Sequence, residues 1–338
     1  MIQNFVPGYV NDKSRIQESI QSRLAAGQNV FASSYAAANA PQLPGTWRRM
    51  VSEGYTGVFL RDREVRLLGK YRRPFFQKAG TCVSRGMARG IQCSLDYSIV
   101  ETVSLQCPVT ISFAPIYSFA RHEIGRDRCG LQDGAILADA ARAVHDLGVT
   151  TDELFPGTSE DDVERLAVRY AGPGVGSPSS WIAAAKGHTC ATFLPETLEL
   201  LFDCIAAGYA VPYAHGYITS KPNAKGISDL GSFGPHCRCF VGVFLDENGE
   251  TQLESSESWG RFPAGDPHVE DSTMPVEQIP CITLRYAGGT KTLAPGDVGV
   301  NAKRFWSQIQ SGGEAWAVGV PKFEAESMAE LDRQTRMA

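Results

Sequence analysis

The chain has 338 residues, of which 43% are hydrophobic and 20% charged, with a formal net charge of −5. That length supports a sizeable buried core, and the mild negative charge argues against nucleic acid or an acidic membrane as a partner. No stretch approaches the roughly 20 consecutive apolar residues of a membrane span.

The first residues, Met1 to Phe5, show no basic segment leading into an apolar one, so the expected location is cytoplasmic. Nine cysteines, an odd number, then read as reduced thiols. Ile16, Ile20 and Leu24 fall four apart and predict a short amphipathic helix ended by Gly27. An alanine-rich stretch over 36–44 reads as a linker or extended strap. Residues 1–45 are therefore expected to form an arm that packs on the domain or on a partner; an inhibitory propeptide is the other reading. A domain begins at Thr46 and runs to about residue 320. Near its start, Arg61, Arg63, Arg66, Lys70, Arg72 and Arg73, interleaved with Asp62 and Glu64, read as a solvated surface.

A helix is predicted over 82–98, beginning at Cys82. A β-like run follows at 109–117, and then a loop over 121–133. Asp133 is placed to cap a helix carrying Ile136, Leu137, Ala140, Val144 and Leu147 and closed by Gly148. Further helices are expected at 159–170 and at 195–207, the second opened by Pro195. Beyond Gly208 the pattern changes to strands, at 209–213, 237–245, 251–255, 282–286 and 315–320. Glu247-Asn248-Gly249 marks a hairpin turn between the second and third. A charged helical tail occupies 321–338. Helices followed by antiparallel strands make an α+β arrangement.

One cysteine stands apart. Gly80-Thr81-Cys82 puts a thiol at the first turn of a helix, where the helix dipole and free amides stabilise a thiolate and can face a developing oxyanion. Gln77, just upstream, could supply a second oxyanion donor. His236, after Gly234-Pro235, sits at the start of an apolar strand, a rigid mount for a general base. In Ser255-Ser256-Glu257-Ser258-Trp259-Gly260, Glu257 can accept the ring N–H and fix its tautomer, with Trp259 shielding that bond. A zinc site from His236, Cys237 and Cys239 is disfavoured, because neighbours on a strand face opposite sides and no paired C-x-x-C completes it. No metal and no other cofactor is expected.

These segments, in this order, resemble the papain (C1) family of cysteine peptidases. Gly80-Thr81-Cys82, then His236, then Glu257-Ser258-Trp259-Gly260 is similar to the family's Gly-x-Cys, His and Asn-Ser-Trp-Gly. Asp133-Gly134-Ala135 resembles its Asn-Gly-Gly substrate loop, and Leu154-Phe155-Pro156 its Tyr-Pro-Tyr segment. Ala206-Ala207-Gly208 and Glu314-Ala315-Trp316-Ala317-Val318 resemble the way into and the closing strand of its β half. The likeness covers about 75–320. It implies a two-lobed papain-like fold, with a helical lobe at about 75–195 and an antiparallel barrel-like sheet lobe at about 196–320. It further implies a cysteine peptidase acting on peptide or protein substrates. Cys82 would be the nucleophile, His236 the acid and base, Glu257 its orienter and Gln77 an oxyanion donor. Asp133, Gly134, Ala135 and Trp259 would contact substrate. The chain departs from the family at three points: Glu257 replaces Asn, Val83 replaces Trp after the nucleophile, and Gln77 lies five residues before Cys82 rather than six. A second reading follows: the fold kept as a scaffold, or as a structural component of a homo-oligomer or larger, virion-like assembly. In it the arm, the tail and the insertion over 261–313 supply contacts. A cell-wall or isopeptide hydrolase is a third.

Overall fold

The computed structural model describes residues 8–40, 42–101, 108–258 and 275–321. Trp259 and the charged tail beyond Pro321 lie outside the described residues. The helical half contains α1 (Lys13–Ala25), α2 (Ala32–Asn39), α3 (Thr46–Ser52), strand β1 (Gly57–Phe59), α4 (Asp62–Leu68) and α5 (Cys82–Glu101). It continues through α6 (Phe113–Ser118), α7 (Leu137–Asp146), α8 (Glu160–Tyr170), α9 (Ser179–Ala185), β2 (Cys190–Phe193) and α10 (Leu198–Ala206). The sheet half follows with β3 (Val211–Thr219), β4 (Ile227–Ser228), β5 (Leu230–Leu245), β6 (Thr251–Ser256), β7 (Thr283–Tyr286) and β8 (Gly289–Thr292). It ends with β9 (Asp297–Val300), α11 (Ala302–Gln310), β10 (Glu314–Ala315) and β11 (Ala317–Pro321). This is the expected α+β order.

The main sheet runs β10-β3-β5-β6-β9-β4, with β1 also pairing β5. Its pairs are antiparallel except β4 with β9. β11 leaves the sheet and pairs β2, tying the end of the described chain back to the helical half.

α5 lies against this sheet on a face of small residues spaced four apart: Cys82, Gly86, Gly90 and Ser94. A Cβ on Gly86 would come within 3.0 Å of Cys237 Sγ and 3.1 Å of the Arg238 carbonyl; one on Gly90 would meet Pro212 at 2.8 Å. Helix backbone and sheet therefore approach more closely than side chains would permit. Ser94 Oγ seals the far end, donating to Val318 O (2.8 Å) and accepting from Ala210 N (3.0 Å).

The arginine cluster after α3 is not the solvated surface expected. Arg61 is 1% exposed and pairs with Glu64 (3.2 Å) and Asp297 (2.8 Å). Arg89 of α5 meets Glu64 at 3.1 Å, and Arg72 pairs with Asp96. Only the outer members, such as Arg66 at 64% exposure, remain in water. Burial alone would raise the Glu64 carboxyl, but Arg61 and Arg89 hold it below its ordinary value. Of the interleaved acids, Glu64 is a partner in a buried network that joins α4, α5 and β9, whereas partly exposed Asp62 pairs with Lys291.

Other expectations shift. The region 109–117 holds α6 in place of a strand: Pro115 falls in its first turn, where a missing N–H is tolerated. The expected loop over 121–133 begins as a wider helical turn, Phe119–Ile124. The alanine-rich strap contains α2, whose Tyr35 ring stacks on Phe193 at 4.1 Å, as alanine's helix propensity permits. α10 starts at Leu198 under a Thr197 cap, not at Pro195. His236 lies inside the long strand β5, whose register with β3 begins well before it.

Replacing Glu64 by Ala should cost about 3–5 kcal/mol, because buried guanidinium groups lose their counter-charge. Urea unfolding of the variant against wild type reads this directly.

Candidate active site

One carboxylate holds the loop before Cys82 in place. Glu164 of α8 accepts hydrogen bonds from Lys78 N (3.0 Å), Ala79 N (3.3 Å) and Thr81 Oγ1 (2.5 Å). It also pairs with Arg85 at 3.1 Å, and Arg85 lies 3.9 Å over the Phe113 ring. The first turn of α5 is thereby fixed to α8 and α6. Neither Glu164 nor Arg85 was singled out in the sequence; the available signal was an acid beside Val163 and Ala167 on the apolar face of a predicted helix.

Cys82 Sγ accepts a hydrogen bond from the Cys237 amide at 3.4 Å. His236 immediately precedes that amide, so the α5–β5 contact seats the predicted nucleophile against the backbone next to the predicted base. Both are fully buried. His236 Nε2 lies 3.4 Å from Ser258 Oγ and 3.5 Å from Glu257 Oε2. Ser258 donates its own proton to Gln77 Oε1 at 2.8 Å, and Gln77 N donates to Ser258 O at 3.1 Å. Ser258 is then an acceptor toward the ring, which assigns the ring proton to Nε2 and leaves Nδ1 as the basic nitrogen. Gln77 is thus seated on the histidine side of the site, through a serine that the motif reading passed over.

Glu257 does not face His236 as a bare anion. Its carboxylate accepts from Thr219 Oγ1 (3.0 Å) and from Arg238 Nε, 2.8 Å from Oε1 and 3.0 Å from Oε2. Burial alone would raise this carboxyl, but Arg238, ahead of His236, holds it below its ordinary value.

Asp133 caps no helix; α7 begins at Leu137 with Ile136 before it. Its carboxylate instead accepts from Gly80 N (2.9 Å), Tyr117 OH (3.0 Å) and Gly134 N (3.0 Å), joining the cysteine loop to the 133–135 loop. Arg121 secures that loop from beneath, donating to Gln132 O (2.7 Å) and Gly134 O. Gly134 has φ +105°, and a Cβ there would meet the Gly8 backbone at 2.8 Å.

That contact reveals the occupant of the cleft. Ala135 N donates to Gly8 O (3.0 Å), and Val10 N donates to Ala135 O (2.9 Å), so the chain's own N-terminal segment runs parallel to the loop. A Cβ on Gly8 would lie 2.6 Å from Cys82 Sγ and 2.7 Å from Gly80 O. The Tyr9 side chain is 3% exposed and lies close to Glu314, Cys237 and Cys82. α1 anchors the segment: Arg15 pairs with Asp139 of α7 at 3.1 Å and donates to Ile124 O at 2.8 Å.

Enclosure sets the electrostatics. Burial pushes the Cys82 thiol up to about 12, outweighing the amides of Cys237 and Val83 and the charge of Arg238. Burial also takes the His236 imidazole down to about 4, against the pull of Glu257. At neutral pH the closed site therefore holds a neutral thiol and a neutral imidazole. Among the described residues no group of His, Cys, Asp and Glu is arranged to hold a metal ion.

Comparison with solved structures agrees with this architecture. The fold resembles that of xylellain, a cysteine protease from Xylella fastidiosa, with 13% identity over 95% of this chain and 92% of the other and a TM-score of 0.50. The Amb a 11 cysteine protease of ragweed pollen, in its proform, has 14% identity over 95% of this chain and 77% of the other, with a TM-score of 0.47. Bromelain from Ananas comosus, in complex with the E64 inhibitor, has 11% identity over 80% of this chain and 100% of the other, with a TM-score of 0.42. The fold is that of papain-like cysteine proteases. No protein-family model matches the chain, and no curated protein matches its sequence.

The low His236 value makes stability depend on pH. In the unfolded chain the ring takes a proton near 6.5, whereas in the fold it waits until about 4. Its contribution is present above the unfolded value and is lost as pH falls through the folded one. Between pH 7 and pH 4 the stability of wild type relative to His236→Gln should fall by about 3 kcal/mol, as read by urea unfolding at each pH.

Proposed function

We propose that this chain is a cysteine peptidase held closed by its own N-terminal segment. The observation that carries the reading is the position of Gly8, whose backbone lies on Cys82 while its neighbours pair with Ala135. An extended backbone already occupies the groove beside the nucleophile, so the groove suits a peptide. The seat filled by Tyr9 suits an aromatic substrate side chain.

With the segment displaced, water enters and the desolvation that keeps both groups neutral is relieved. Cys82 can then transfer its proton to His236 Nδ1. The thiolate attacks the peptide carbonyl carbon, and the resulting oxyanion is met by amides at the start of α5 and by the Gln77 carboxamide. Collapse breaks the C–N bond as imidazolium protonates the leaving amine. Water, deprotonated by the imidazole, then releases the acyl group from sulfur. Ala135 would supply the backbone donor and acceptor that align the substrate, and Asp133 and Gly134 hold it in position.

The closed cleft also favours the scaffold reading, in which the fold serves an assembly and the pair never ionises. One variant separates the two. A leucine at position 8 (Gly8→Leu) cannot be accommodated against Cys82 and should lift the segment. Iodoacetamide labelling of Cys82 at pH 7, followed by peptide mass spectrometry, should then accelerate roughly tenfold or more over wild type. Casein hydrolysis should appear with it, and both should be lost in Gly8→Leu/His236→Ala. Labelling no faster than that of the other thiols, with casein intact, would leave the scaffold reading standing.

A further inference from the structure

The Asn-Ser-Trp-Gly motif has a neutral amide where this chain has Glu257, and a buried anion at that position would alter the base it supports. The structure contains an answer on the same strand as His236. Two residues along β5, Arg238 directs Nε at the Glu257 carboxylate, 2.8 Å from Oε1 and 3.0 Å from Oε2. Its Nη2 donates to Tyr217 O at 2.8 Å, and the guanidinium lies 5.8 Å over the Tyr213 ring. Thr219 Oγ1 also donates to Oε1 of the carboxylate, at 3.0 Å. Arg238, Glu257 and His236 are all fully buried or nearly so, out of reach of screening by solvent.

We propose that Arg238 is a positioning residue for His236: it holds the Glu257 carboxylate and cancels its charge, so that the imidazole faces a neutral pair in place of a bare anion. A pair of opposite charges presents a dipole, as an amide does, and leaves the net charge beside the ring at zero. The Glu-for-Asn exchange and the Arg on β5 then form one unit. The inference rests on reading Cys82 and His236 as the reacting pair.

The other titratable groups around the ring do not supply the compensation. Across the strand pair, His215 faces His236 in register and is kept neutral by burial. Cys82 on α5, Cys237 on β5 and Tyr213 on β3 are all raised by burial, and so uncharged at neutral pH. Ser258 and, through it, Gln77 lie on the Nε2 side.

The test is a pH titration of His236 in the full-length chain, followed by proton–nitrogen correlation spectra of the imidazole and assigned with His236→Gln. It reads protonation without requiring turnover, so its failure is distinct from a failure of the peptidase reading. In Arg238→Met the midpoint should rise by about one pH unit or more, a tenfold change in the protonation equilibrium. In Glu257→Gln it should move the opposite way, and in Arg238→Met/Glu257→Gln it should return to within about one unit of wild type. A merely structural Arg238 would loosen the site without these opposite signs. A rise of less than one unit in Arg238→Met, or both single variants moving together, would overturn the proposal. Should the single variants fail to fold, the double variant decides. It removes both charges at nearly constant volume, and a midpoint more than one unit from wild type counts against cancellation.

Discussion

The strand β5 reaches the sulfur of Cys82 because the helix carrying that cysteine has almost nothing between its backbone and the sheet. Gly86 and Gly90 put no Cβ into the contact, and Ser94 closes the seam with hydrogen bonds to Val318 of β11 and to Ala210 just before β3. Side chains at these positions would crowd Cys237 and Arg238 at residue 86 and Pro212 at residue 90, pressing α5 away from the sheet. Packing density in protein interiors leaves little slack for such a shift. The relation between the two halves of the molecule, and therefore of the two candidate reacting groups, depends on this run of small residues.

Around that seam the interior holds several buried charges in pairs. Arg61 with Glu64 and Asp297, Arg85 with Glu164, and Arg238 with Glu257 are buried pairs that tie separate elements together. Such pairs contribute less to net stability than to uniqueness of arrangement, since misplacing either member strands a charge. Cys82 and His236 differ: both are buried and held uncharged, with Gly8 lying directly on Cys82. Burial, which excludes water, is the first cause of the neutral state of each group.

Much of this was legible in the sequence, and unevenly so. The helix from Cys82 and the hairpin around Gly249 carry local signals, a Gly-Thr turn and Asn-Gly, that do not depend on distant residues. α6 was misread because its apolar run has no periodicity to separate helix from strand, and Pro115 decides it only once Ser112 is known to precede the first turn. The arginine cluster was misread because charge pairing is a property of contact: Asp297 lies 236 positions from Arg61. For the same reason Arg238, Thr219 and Ser258 were invisible as a group around His236 and Glu257. The identity of Gly8 carried no signal by itself; its meaning comes from a sulfur 74 positions away, a number set by where Cys82 falls in the chain.

The parallel pairing of Tyr9 with Ala135 is held by a tether of only a few residues leading into α1, itself locked to α7 through Arg15 and Asp139. An occupant joined to its site in this way competes at an effective concentration on the order of millimolar or above. Dilution does not release it. Contact of this segment with Cys82 therefore depends on the integrity of the short connection between Val10 and Lys13, whose severing would convert a standing intramolecular equilibrium into an ordinary bimolecular one.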